Sequence, residues 1–158
     1  ELDFKYPLRE TVWFEWPFAT RDKHSRLELR LNSKPVHSLQ VEFAAGMGRL
    51  DLSELTVEKL TVDMAAGKSE VILGLPDSEK VNTTTANIQL AAGEFHLRIP
   101  EESGVRVSIT KAAGSTNVEK KGWRRDGSTY YSPNYEEAKH KLDLTVNLTA
   151  GSFDIFTR

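Results

Sequence analysis

VEFAAGMGRLDL, residues 41–52, is the first of five versions of one pattern. The others are VDMAAGKSEVIL (62–73), IQLAAGEFHLRI (88–99), ITKAAGSTNVEK (109–120) and VNLTAGSFDIFT (146–157). Aligned on Gly46, Gly67, Gly93, Gly114 and Gly151, every copy has alanine just before the glycine: Ala45, Ala66, Ala92, Ala113 and Ala150. Apolar residues recur five and three positions before the glycine, as in Val41 and Phe43, and four after it, as in Leu50. A spacing of two on each side of a fixed point is the period of a strand with one buried face. The Ala-Gly step therefore predicts a corner between two short strands, with glycine supplying a positive φ or a close approach and alanine small enough to face inward.

The aligned glycines lie 21, 26, 21 and 37 positions apart. A repeat of roughly 20 residues fits one coil per copy, each burying its apolar edge on the next, with the longer gaps thrown out as loops. The fold predicted is all-β: a single-stranded parallel β-solenoid of about five to six coils with AAG corners. A β-sandwich of similar strands is the competing architecture.

A chain of 158 residues suits one domain. Its charged content of 28% and net charge of −2 exclude a dedicated nucleic-acid binder, which needs a clustered basic surface. With no cysteine, disulfides and thiolate chemistry are excluded. No run reaches the ~20 apolar residues of a membrane span. The chain opens at Glu1 rather than methionine, which reads as a trimmed form whose upstream part could hold a membrane anchor.

Residues 1–26 read as a separate aromatic segment, a strand in which Val12, Phe14, Trp16 and Phe18 share a face and cap the end of the stack. The repeat domain is expected over 27–158, starting with the alternating run from Ser25 to Leu31 and the turn Asn32-Ser33-Lys34-Pro35. A loop insertion is expected at 121–141. There Asp126-Gly127 signals a hairpin, Tyr135 to Lys139 is expected to make one helical turn, and Trp123, Tyr130, Tyr131 and Tyr135 are the candidate interaction residues.

Catalytic chemistry has no visible carrier. His24, His37, His96 and His140 share no metal-ligand spacing, and Glu101-Glu102 and Glu136-Glu137 are adjacent pairs in turns. Neighbours on a strand face opposite ways and make no acid–base dyad. No phosphate loop, nucleophile elbow or dinucleotide fingerprint occurs. The expectation is a non-enzyme with no cofactor and no metal site.

The AAG copies, Leu-Asp-Leu-Ser-Glu-Leu-x-Val at 50–57, Ile99-Pro100 before Gly104-Val105-Arg106-Val107, and the loop run from Tyr130 to Ala138 resemble bacterial toastrack domains. These include the C-terminal region of LiaF-type cell-wall-active antibiotic response proteins and related adhesins of unknown function. The resemblance runs from about Leu27 to the C-terminus and is less clear in the aromatic N-terminal segment. It implies a toastrack-like solenoid tethered to a membrane segment at the bacterial cell envelope. It also implies action by contact, with a protein partner such as a membrane sensor kinase, and no catalytic residues. A carbohydrate- or surface-binding adhesin taking cell-wall glycan is the alternative. Association between copies through exposed end coils is a further expectation.

Overall fold

The computed structural model describes residues 10–12, 31–77 and 79–158. The aromatic positions Trp13, Phe14, Trp16 and Phe18, and the alternating run before Leu31, lie outside the described residues. Among those described, each repeat copy contributes a pair of strands joined at its Ala-Gly corner. The pairs are β2 (Val36–Phe43) with β3 (Met47–Leu52), β4 (Thr56–Met64) with β5 (Lys68–Leu73), and β6 (Thr83–Leu90) with β7 (Glu94–Ile99). They continue with β8 (Gly104–Lys111) and β9 (Ser115–Thr116), then β12 (Lys141–Leu148) and β13 (Ser152–Thr157). A short β1 (Glu10–Val12) runs parallel to β2 at one edge. The hairpin of β10 (Arg124–Asp126) and β11 (Thr129–Tyr131) lies antiparallel to β8 at the other.

The all-β class therefore holds, and the copies pair in parallel register. A wholly parallel stack in chain order does not describe the sheets. Each copy feeds two of them, one of eight strands in the order β1-β2-β4-β6-β12-β8-β11-β10 and one of five in the order β3-β5-β7-β13-β9. The larger sheet is mixed, because the hairpin is antiparallel. Nor do the copies stack in chain order. The fifth lies between the third and the fourth in both sheets, with β12 pairing in parallel to β6 on one side and β8 on the other.

One apolar cluster is fed by both sheets. Leu60, Val62, Ile88, Val107 and Val146 come from the larger sheet, and Val71, Phe95, Leu97, Phe153 and Ile155 from the smaller, all of them fully buried. Phe95 and Phe153 stack with ring centroids 6.0 Å apart. Full burial of side chains of this size is worth about 1.5–3 kcal/mol each, and a lone copy has no opposite neighbour to bury against.

Three local expectations change. Ala45 and Ala113 are exposed and Ala66, Ala92 and Ala150 half-buried, so the corner alanines do not face inward. The helical turn expected over Tyr135 to Lys139 lies one residue earlier and is not continued: residues 133–137 are hydrogen-bonded turns, with Ala138 N–H donating to the Asn134 carbonyl four residues back at 2.9 Å. The fourth copy ends its second strand at Thr116 and passes into a 3-10 turn, Val118–Lys120. It lies at one edge of the smaller sheet, opposite to β3.

Candidate functional site: a corner ladder, an acidic trough and a basic hairpin

The corner glycines stand in a column. Gly46, Gly67, Gly93, Gly151 and Gly114 have φ values from 105° to 117°. The amide after each one but the first donates to the previous glycine's carbonyl: Lys68 to Gly46, Glu94 to Gly67, Ser152 to Gly93 and Ser115 to Gly151, at 2.8–2.9 Å. The sheet ladder thus continues around the bend, at the cost of any side chain there. A Cβ built on Gly67 would lie 1.9 Å from the Gly46 carbonyl oxygen, and one on Gly151 2.0 Å from that of Gly93. The end residue of the column is different, for a Cβ on Gly46 meets nothing within 4 Å.

Beside this column, on the outer face of the larger sheet, lies a trough of about 560 Å³. Glu42, Asp63, Gln89 and Asn147 line it from four adjacent strands, together with Ala44, Ala65, Ala91 and Thr149 from the corners. Glu42 and Asp63 are in-register partners, so two carboxylates stand side by side at strand spacing. Among the described residues neither pairs with a basic side chain; Glu42 accepts only from Gln40 Nε2, at 3.3 Å. Burial, and then the neighbouring charge of Glu42, push the Asp63 carboxyl up from its ordinary value. Several carboxylates elsewhere are neutralised. Arg98 and Arg49 bracket Glu70, Lys68 holds Glu94, and Lys111 holds Glu119, so all three are held below the usual range, chiefly by those hydrogen bonds.

The rest of that outer face is polar and mostly uncharged. Along β2, β4, β6, β12 and β8 its positions are occupied by side chains such as Gln40, Thr61, Thr85, Asn87, Thr145 and Ser108. Asn87 Oδ1 is shielded from solvent and has no partner.

The aromatic candidates gather at the opposite margin, and their roles separate. Tyr130 is 6% exposed and belongs to the core, so it is not a surface residue; it alternates inward on β11 while its neighbours point out. Trp123 is half-buried against the same core. Tyr131 and Tyr135 meet edge to face, with centroids 5.4 Å apart. Each of the four rings is covered by a cation of this chain: Lys121 over Trp123, Arg125 over Tyr130, Arg124 over Tyr131 at 4.2 Å, and Lys141 over Tyr135. Tyr135 donates its hydroxyl to Asp143, which also holds Arg106; desolvation first, then this hydrogen bond, raise the phenol. Ser132 fastens the loop, its Oγ accepting from Val105 N–H at 2.8 Å and donating to Asn134 Oδ1.

The loop was visible in sequence and the trough was not singled out. Its signal was present, since the residue four before each aligned glycine is Glu42, Asp63, Gln89, Thr110 or Asn147, polar every time. Of the histidines, His96 lies in the outward column with Arg49, Glu70 and Asp154, its ring edge-on to Phe156. His37 is buried, with Nε2 2.7 Å from the Asn32 carbonyl oxygen. Among the described residues no group of three His, Cys, Asp or Glu is placed to hold a metal ion, and no helix is long and apolar enough to cross a membrane.

Comparison with known proteins gives two findings. No curated protein matches the chain. A crystal structure described as "a putative cell adhesion protein" from Clostridium sporogenes is similar in fold, with a TM-score of 0.71 and 24% identity over 81% of this chain. The match spans 58% of that longer chain. The family model for the N-terminal domain of toast_rack, DUF2154, matches residues 9–98, which takes in the aromatic N-terminal segment and the first three copies. That span is more than half of the sequence, and the chain belongs to the toast_rack family.

Proposed function

We propose that this chain is a non-catalytic protein-interaction module of a membrane-associated, bacterial cell-envelope protein, receiving its partner in the trough beside the corner ladder. The observation that carries the reading is the Glu42–Asp63 pair. Two adjacent carboxylates with no counter-charge among the described residues are unfavourable side by side, and a partner supplying cations would relieve them. Family membership and the name of the C. sporogenes protein agree with contact as its mode of action. A LiaF-type role, restraining a membrane sensor kinase, is the specific form of this reading.

A photo-crosslinker at Gln89 tests it in envelope extracts, alongside Glu42→Gln/Asp63→Asn. The expected result is one crosslinked membrane protein that is lost in the double variant. A crosslink indifferent to the two carboxylates would remove the trough from the reading. The adhesin alternative is favoured by the hydroxyl and amide side chains of the outer face, which match a polyhydroxylated ligand. Retention on insoluble cell-wall glycan, lost in Thr85→Val/Thr145→Val, would replace the first reading with that one.

A further inference from the structure

Charge is divided along the larger sheet. At one end β2 and β4 carry Glu42, Glu58 and Asp63 against the single basic side chain Lys59. Residues 111–131, from the end of β8 through the hairpin at the other end, carry five basic side chains against two acidic. Residues 1–30 hold six side chains of each sign. From β4 to β10 is five strand steps, roughly 24 Å at about 4.8 Å each, too far for a basic side chain of the hairpin to reach the trough of its own chain.

The hairpin is shaped to enter another molecule. β10 is the last strand of the sheet, all three of its residues are exposed, and among the described residues nothing pairs with its outer edge. Lys120 is exposed just before it, and Arg124 is held only by the exposed Glu136 and the Tyr131 ring. The trough spans four strands, room for a two-stranded turn.

Resting on the trough reading above, we propose that the basic hairpin of a second copy of this chain, with the turn that precedes it, docks in the Glu42–Asp63 trough, Arg124 of the hairpin and Lys120 of the turn foremost. The contact uses different surfaces on the two molecules, so each copy retains one free trough and one free hairpin, and the assembly grows head to tail. Exposed ion pairs are individually weak and screened by salt. The association is accordingly weak, with a Kd on the order of 0.1 mM at low ionic strength.

Sedimentation velocity of the whole chain tests this. At about 0.05 M salt the wild type should show sedimentation that rises with concentration, weakened at least about tenfold at 0.5 M and lost in Glu42→Gln/Asp63→Asn. Lys120→Glu/Arg124→Glu, which keeps only its trough, and Glu42→Gln/Asp63→Asn, which keeps only its hairpin, should each be monomeric alone and form a one-to-one dimer when mixed. A wild type that stays monomeric to about 1 mM, or association that persists in Glu42→Gln/Asp63→Asn, overturns the proposal. Titration with hexalysine separates the two readings. If the wild type is monomeric but binds hexalysine, and the carboxylate variant does not, the trough stands as a docking site and only self-docking falls. If hexalysine does not bind the wild type, both fall.

Discussion

Gly67→Ala and Gly46→Ala are the same chemical change at the same place in the repeat, yet they should differ widely. Both glycines have positive φ, which costs a side chain about 1–2 kcal/mol. Gly46 adds nothing to that, since a Cβ there meets open space, whereas at Gly67 it meets the preceding carbonyl. Urea unfolding should find Gly46→Ala near that strain cost and Gly67→Ala beyond about 4 kcal/mol, the range of a broken core. Asp63 permits a second comparison. Its carboxyl is raised in the folded state, so its contribution is greatest when it is protonated, below the ordinary value of 3.8, and declines as pH rises through the folded value. Asp63→Asn should stabilise the protein at pH 7 by about 0.2–1 kcal/mol, the usual penalty for facing like charges, and the gain should vanish near pH 3. Denaturant midpoints across pH check this; a gain that persists at pH 3 would exclude the electrostatic cause.

Elements in this fold are completed by side chains where the backbone runs out. β9 stops at Thr116, and Asn117 continues the pairing with its amide, Nδ2 donating to the Ile155 carbonyl and Oδ1 accepting from Ile155 N–H, both at 2.9 Å. Asn117→Ala should cost about 1–3 kcal/mol by leaving both groups of Ile155 unpaired, with amide exchange at Ile155 accelerated in step. The hairpin makes a complementary case. Tyr130→Ala should cost about 3–5 kcal/mol as a buried aromatic deletion, while Tyr131→Ala, one residue on, should stay within about 1 kcal/mol in thermal unfolding. The sequence showed the strands, because apolar side chains two apart mark a buried face whatever the tertiary context. It showed the hairpin too, through Asp126-Gly127. Asn117 was out of reach, since an amide imitating a peptide group has no local signature. The pairing of Glu42 with Asp63 was equally hidden, because it depends on which strands become neighbours.

The whole molecule departs furthest from its sequence in the order of its copies. The five copies share most of their inward apolar offsets, so burial alone permits several stacking orders. The one local hint was Lys111, at a position where the other copies have Phe43, Met64, Leu90 or Leu148: a lysine can occupy that place only at an end of the stack. The order predicts how the chain tolerates truncation. A sequential array that loses its last repeat is merely shorter. Removing residues 141–158 here withdraws β12 and β13 from the middle, and the fourth copy and hairpin lose the strands that join them to the rest. The truncated chain should lose Val107 and Tyr130 from its protected core in hydrogen exchange; retained protection there would contradict the order. The insertion also decides how the molecule bears a mechanical load. β13, which Arg158 follows directly, is paired along all six of its residues to β7 and over two to β9, and β12 behind it along all eight to a neighbour on each side, so tension applied through Arg158 meets ladders in shear, and an end rung cannot peel away one bond at a time.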